Sequence, residues 1–364
     1  MRAALVAGGG VAGLAAGLAL QRAGWRVMIA ERAERLEPLG AALSLWNNAY
    51  DALKALGVLG AVERDALPFD RMLVGDAAGR PILGPNAVHG HALIVRRAVL
   101  QTALVGALTA GTLRLGTHIE VIAERTGVRI GGRTWLPELI VDAGGIHAGG
   151  GGTYCGYGGV LALSERVAGP GLEGLAAEYW GRDERFGLFE LREGRRYWFY
   201  MRTRPGDAPA PMLHELSTRA KQFPDSVQRA VAATSASALI PVAVFAKSPP
   251  RRLGQGRVVQ VGDAAHAMQP NLGQGACQAL EDAVALGAVA HLPPDAILPA
   301  FEALRLQRVR RVVQRAAEGK FGAHGPRVVQ FALRTALRLA PAALLDRMTR
   351  DLHTLPDYGS RQGG

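Results

Sequence analysis

The first thirty positions alternate between two periods of apolar residues. Residues 2–7, RAALVA, form a short continuous apolar run of strand length. Residues 14–23 keep small and apolar side chains at helical spacing, and Gly24 stands where a left-handed residue ends a helix. Residues 25–30 return to a strand pattern that stops at Glu31. Buried-strand runs recur at 139–141 and 258–261, and a helical pattern follows the second through Ala276, Cys277, Leu280, Ala283 and Leu286. Residues 195–202, RRYWFYMR, alternate as a strand with one face buried and the other toward a cavity. Residues 307–318 and 327–345 read as helices. The second is basic and amphipathic, a pattern shared with helices that lie on membranes, but Pro341 and the need to cover a core favour packing against the protein. Strands alternating with helices predict an α/β chain (α+β overall).

Length and composition narrow this picture. A chain of 364 residues, 49% hydrophobic, with a mean hydropathy of +0.09, predicts a globular protein of two domains or one large one. No uncharged apolar run reaches the roughly 18 residues needed to span a bilayer, so no membrane partner is expected. The start, MRAALVAGGG, is too short and glycine-rich for a secretory signal, and the expected location is the cytoplasm. Two cysteines, Cys155 and Cys277, exclude a disulfide scaffold and a zinc site and suit a reducing compartment. A net charge of +11 invites nucleic acid, but only four of the 42 basic residues are lysines and the arginines are scattered. An acidic substrate or an anionic cofactor accounts for the charge better.

The anionic ligand has a place. Gly8, Gly10 and Gly13 fit G-x-G-x-x-G between the first strand and the helix predicted over 14–23, with Val11 and Ala12 inside the same turn. The first glycine makes the tight turn, the second admits a pyrophosphate to the backbone, and the third lets the helix lie close on the strand. Free N–H groups at the helix start favour the phosphates. Glu31, followed by Arg32, ends the second strand where an adenosine ribose needs an acceptor. These residues admit NAD or FAD.

VGDAAHAMQPNLGQGACQALEDA, starting at Val261, narrows the choice. Asp263 follows a buried strand, at the end where α/β sheets bind ligands, and suits the hydroxyls of a sugar alcohol. Pro270 stiffens the next loop. Gly273, Gln274 and Gly275, with Ala276, open a helix whose N–H groups can approach a flat ring and favour negative charge on it. Reduced flavin carries such a charge. His266 and Gln274 are the catalytic candidates, His266 being better suited to ordering a loop. Cys277 reads as a small buried residue.

With these motifs the chain resembles the class A FAD-dependent monooxygenases, the fold group of para-hydroxybenzoate hydroxylase, in the branch of zeaxanthin epoxidase and FAD-dependent urate hydroxylase. The resemblance spans nearly the whole chain. GAALSLWNNAYDALKALG, from Gly40, is similar to the family's segment beside the flavin, with Asn47 where proline is usual. RRAVLQTAL implies that Arg97 contacts FAD, and RRYWFYMRT is similar to the aromatic strand of the substrate sheet. Tyr197 and Phe199, ahead of Trp198 and Tyr200, are the candidate pocket residues, together with Trp46. The family's middle motif, Gly-Ala-Asp-Gly followed by Ser and Arg, is altered to Asp142-Ala143-Gly144-Gly145-Ile146-His147-Ala148 and then four glycines. Asp142 keeps a role toward FAD in related Asp-Ala-x-Gly versions.

The resemblance implies a Rossmann-like FAD-binding domain (1–70, 95–165, 248–300) interleaved with a β-sheet substrate domain (71–94, 166–247), and C-terminal helices over 301–364. It implies NAD(P)H as transient reductant, a flavin hydroperoxide, and transfer of one oxygen from O2 to an aromatic or alkene small molecule. The altered middle motif puts reduction by nicotinamide in doubt and keeps open a non-oxygenating FAD-dependent oxidoreductase, a dehydrogenase or tailoring enzyme. Flavin-dependent halogenation is disfavoured, since none of the five tryptophans forms a Trp-x-Trp pair.

Overall fold

RAALVA becomes the strand Ala3–Ala7 near the middle of a six-stranded sheet. The computed structural model describes residues 2–36, 41–121, 127–130, 132–206 and 208–359; Gly40, which heads the GAALSLW segment, lies outside them. The spatial order is Gly254–Gln255, Val258–Gln260, Leu139–Asp142, Ala3–Ala7, Arg26–Ala30 and Leu113–Arg114. All neighbours are parallel except the first pair. Both faces of Ala3–Ala7 are covered, as a parallel sheet requires. Ala4 and Val6 face the main core and the helix Val11–Arg22, while Leu5 faces a small antiparallel sheet through Val128 and Ile130. Gly24 adopts φ +83° and ends that helix, so the next strand starts at Arg26. The α/β arrangement expected from the alternating runs is the one found.

The second layer is a seven-stranded sheet in the order Leu239–Ala246, Thr153–Leu163, Arg196–Thr203, Glu184–Glu190, Leu175–Trp180, Arg71–Asp76 and Pro81–Ala87. The alternation in RYWFYM divides it into two faces. Trp198 and Tyr200 enter a separate core with Phe186 of the neighbouring strand, with Leu216 and Val227 of the covering helices Leu213–Ala220 and Asp225–Ala232, and with Phe223 between those helices. Tyr197 and Phe199 face the main core, toward the first sheet. The boundary expected near 165 cuts across this layer: Thr153–Leu163 pairs along both sides within the seven-stranded sheet. A short antiparallel sheet of Ala42–Leu45, Leu93–Arg96 and Leu67–Pro68 bridges the two layers.

From Pro294 onward the described chain is helical: Pro294–Glu318, Arg327–Leu339 and Ala342–His353 are the main elements. The first begins thirteen residues before the 307–318 expected, because Pro293 and Pro294 are tolerated at a helix start. The expectation that 327–345 packs its apolar side on a core is overturned. Val328, Phe331 and Leu339 are 80%, 74% and 78% exposed, whereas Gln330 is buried. Pro341 breaks the segment into two helices rather than one. Among the described residues no single helix is long and apolar enough to cross a membrane.

Candidate functional site

The three glycines of the first turn have distinct surroundings. Gly8 has φ +113°, and a Cβ there would strike the Ala143 carbonyl; a Cβ on Gly13 would strike the Gly8 carbonyl oxygen. A Cβ on Gly10 would meet nothing within 4 Å. So two glycines close the turn against the protein, and Gly10 opens it to the outside. Gly10 caps the helix with no side-chain acceptor, leaving first-turn N–H groups free for an anion. Val11 is buried in the main core, and Ala12 lies at the contact with Gly262, whose Cβ would come within 2.6 Å of the alanine methyl. Glu31 Oε2 accepts the Gly9 N–H at 2.6 Å and Oε1 accepts the Ala33 N–H at 2.9 Å. The carboxylate is thereby held at the turn, while Arg32 is exposed.

Gly262, at φ +56°, turns the end of Val258–Gln260 so that Asp263 is exposed. Arg97, first residue of the helix Arg97–Ala107, is near enough to feel that carboxylate. Burial lowers the arginine's pKa, and Asp263 acts against that shift. Asp142 is committed locally: Oδ1 accepts from the Gly144 N–H at 3.0 Å and Oδ2 from Gln260 Nε2 at 3.1 Å. Lys247, which no sequence pattern singled out, ties the middle motif to the GD motif. Its ammonium donates to the Ala148 and Ala264 carbonyls, both at 2.6 Å. Burial lowers its pKa, opposed by Asp142 and Asp263.

Pro270 begins a short 3-10 turn, and Gly273 at φ +62° ends it before the helix Gly275–Val289. A Cβ on Gly273 would lie 2.7 Å from Ser44 Oγ and 2.8 Å from Trp46 Nε1, so the turn fits only glycine here. Gly275 faces open space, and Ala276 behind it is half-buried. Gln274 is fully buried; its Oε1 accepts from Asn48 at 2.9 Å and Gln278 at 3.0 Å. Trp46 Nε1 and Gln274 Nε2 are buried with no partner among the described residues. Unpaired buried donors are costly, and their clustering beside Gly273 marks a place for an acceptor-bearing ligand.

Behind this helix lies a buried charge cluster. Glu281 takes Arg305, both arms of Arg308 and Asn48. Asp282 takes His266 Nε2 at 2.6 Å, the Gly262 N–H at 2.8 Å and Arg305 Nε at 2.8 Å. Burial works to raise both acids' pKa values, yet the arginines, and His266 for Asp282, hold them below the ordinary range. His266, 1% exposed, is held inside this cluster by Asp282. The Glu and Asp were visible in QALEDA, but only the helix Pro294–Glu318 reveals their partners.

Across the turn stands the inner face of the seven-stranded sheet. Tyr197 is buried, packed 5.8 Å from Phe189, and Phe199 is half-buried. Trp46 stacks on His353 at 4.3 Å and meets Phe69 edge-on. The sequence reading missed Arg185, whose charge hid among many arginines. It is buried between the rings of Phe199 and Tyr157, 5.6 and 5.9 Å from their centroids. It donates to Glu178 at 2.9 Å and to Asn271 Oδ1 at 2.7 Å, leaving Nε without a partner. Asn271 belongs to the Pro270–Leu272 turn, so Arg185 joins the aromatic face to the glycine turn.

These surroundings suit a flavin dinucleotide: an open glycine at a bare helix start, an exposed acid beside an arginine, and unpaired buried donors at a second open helix start. The comparisons with known proteins agree. A family model described as FAD binding domain matches residues 1–127 and 174–316. The chain is 33% identical over 338 residues to the aurachin C monooxygenase/isomerase of Stigmatella aurantiaca, covering 85% of this chain and 86% of that one. It is 30% identical over 360 residues to an FAD-dependent urate hydroxylase of Klebsiella pneumoniae, covering 88% and 90%. The structure of Klebsiella pneumoniae HpxO complexed with FAD and uric acid superimposes with a TM-score of 0.84 at 25% identity, over 96% of each chain. The chain belongs to the FAD binding domain family and is an FAD-dependent oxidoreductase of the monooxygenase class.

Proposed function

We propose that this protein transfers one oxygen atom of O2 to an aromatic or alkene small molecule, the second atom leaving as water and NAD(P)H supplying the two electrons. The observation that carries this reading is the convergence of the Gly273–Gly275 turn and the aromatic face of Tyr197 and Phe199 on Arg185 and Asn271. FAD, when bound, supplies the electron transfer and oxygen activation. The chain supplies the rest. Gly8, Gly10, Gly13 and Glu31 hold the ADP half, with Val11 and Ala12 at the helix start. Arg97 and Asp263 hold the linker and the ribityl hydroxyls. Pro270, Gly273, Gln274, Gly275 and Ala276 frame the ring, and the helix N-terminus favours negative charge on it. Tyr197, Phe199 and Trp46 wall out water and hold a flat substrate. The buried Arg185 Nε is the donor available to an anionic or carbonyl oxygen of that substrate.

The test is the visible spectrum of the purified holoprotein under anaerobic conditions, before and after NADPH or NADH. Bleaching of the flavin band, then a substrate product heavier by one oxygen in air, is the expected result. A second reading is a flavoenzyme that does not oxygenate. It is favoured by Asp142, whose two oxygens are occupied by Gly144 and Gln260, and by Ala148 where the family carries serine. A flavin band that persists with both nucleotides and bleaches with an organic substrate alone would establish that alternative.

A further inference from the structure

We propose that the helix pair Arg327–Leu339 and Ala342–His353 docks on the surface of an anionic lipid bilayer, contrary to the expectation that the chain has no membrane partner. The first helix is attached by its polar side. Gln330 donates to Asp183 Oδ1 at 2.9 Å and to the Gly325 carbonyl at 2.8 Å. Arg334 donates to the Gly181 carbonyl at 2.7 Å and the Gly322 carbonyl at 3.0 Å. Val328, Phe331, Ala332 and Leu339 fall on one stripe of the opposite side, at steps of three, four and seven, and all are exposed. Leu344 extends the exposed apolar surface into the next helix, beyond a bend of 104°. A helix packed only on water shows the reverse polarity.

The occupant is chosen by charge. Residues 327–353 carry five arginines (Arg327, Arg334, Arg338, Arg347, Arg350) against two acids, Asp346 and Asp351, and Asp351 is paired with Arg315 of the preceding helix. Arg327 and Arg347 are exposed and have no acid within ion-pair distance among the described residues. A second copy of this face would meet it with like charge, which opposes association, whereas an anionic leaflet is complementary. At 13 residues, about 20 Å, the first helix is too short to span a bilayer and long enough to lie in its interface. The second helix ends at His353, stacked on Trp46, and Arg308 holds the carbonyls of Asp351, Leu352 and Thr354. The lipid-facing pair is thus anchored directly to the wall of the candidate site.

The experiment is flotation of the full-length, FAD-loaded protein with vesicles of phosphatidylcholine alone or mixed with phosphatidylglycerol. The bound fraction is expected to rise about tenfold with the anionic lipid and to fall with salt. The double variant Phe331→Glu, Leu339→Glu should lose about tenfold in binding with its flavin content unchanged. Arg327→Ala with Arg347→Ala should lose the preference for phosphatidylglycerol. Equal recovery of wild type and both variants overturns the proposal, as does absence of binding to either vesicle. A dimer that Phe331→Glu splits, with no flotation of the wild type, would assign the face to a second copy instead.

Discussion

Asp282 Oδ2 accepts from both His266 Nε2, at 2.6 Å, and the Gly262 N–H, at 2.8 Å. One buried carboxylate therefore fixes the turn that presents Asp263, while its other oxygen is held by Arg305. Removing one partner of a buried pair leaves the other charge uncompensated, at a cost of roughly 3–5 kcal/mol. Asp282→Asn should lose that much in urea unfolding and release flavin more readily. The pH dependence has a definite sign. The folded-state pKa of Asp282 is depressed, so its stabilisation is present above the unfolded value of about 3.9 and is lost as pH falls through the folded value. Wild type should thus show a steeper loss of stability below about pH 4 than Asp282→Asn. Parallel acid unfolding curves would remove the cluster from this role.

Gly10 and Gly13 separate binding from folding. A methyl at Gly10 enters open space, so Gly10→Ala should keep the thermal midpoint of the flavin-free protein and weaken FAD binding by about tenfold or more, because the backbone can no longer approach the pyrophosphate. A methyl at Gly13 strikes the Gly8 carbonyl, so Gly13→Ala should lower the midpoint of the flavin-free protein itself. Calorimetry without flavin and fluorescence titration with it check both. Equal midpoints for the two variants would contradict the division.

What the sequence disclosed were features carried by local spacing. The glycine turn, Glu31 and the GD motif are legible because each needs particular residue types a few positions apart, and strand alternation correctly divided Tyr197 and Phe199 from Trp198 and Tyr200. The contributions of Lys247, Arg185, Asn48 and Arg305 depend on partners 7 to 233 positions away. No local pattern distinguishes such a residue from any other arginine, lysine or asparagine. The helix Arg327–Leu339 was misread for a related reason: amphipathic spacing reveals that two faces differ, not which one meets the protein.

Cys277 is fully buried, and burial pushes its thiol up to about 12. Because the thiolate is the nucleophile, the native protein should leave Cys277 unmodified by iodoacetamide at pH 8, with labelling appearing in urea. Peptide mass spectrometry reads this directly. Modification of Cys277 in the folded, flavin-loaded protein would mean that the helix start opens on the labelling timescale, and Gln274 would then be a poor framing residue.

Lys247 addresses the altered middle motif. Its ammonium bridges Ala148, where the family carries serine, to Ala264 in the GD motif, with Asp142 and Asp263 both close enough to favour its charge. Lys247→Met removes two hydrogen bonds from a cation, each worth roughly 1.5–3 kcal/mol, and takes a positive charge away from Asp142 and Asp263. If the bridge substitutes for the missing serine and arginine, the variant should bind FAD about tenfold more weakly and show a still larger loss in the anaerobic rate of reduction by NAD(P)H. Lys247→Arg should restore much of both, since a guanidinium can span the same carbonyls. Stopped-flow reduction of flavin-saturated protein separates the two effects. A variant that binds FAD weakly but is reduced at the wild-type rate would confine Lys247 to holding the cofactor, and the nicotinamide would then owe nothing to this bridge.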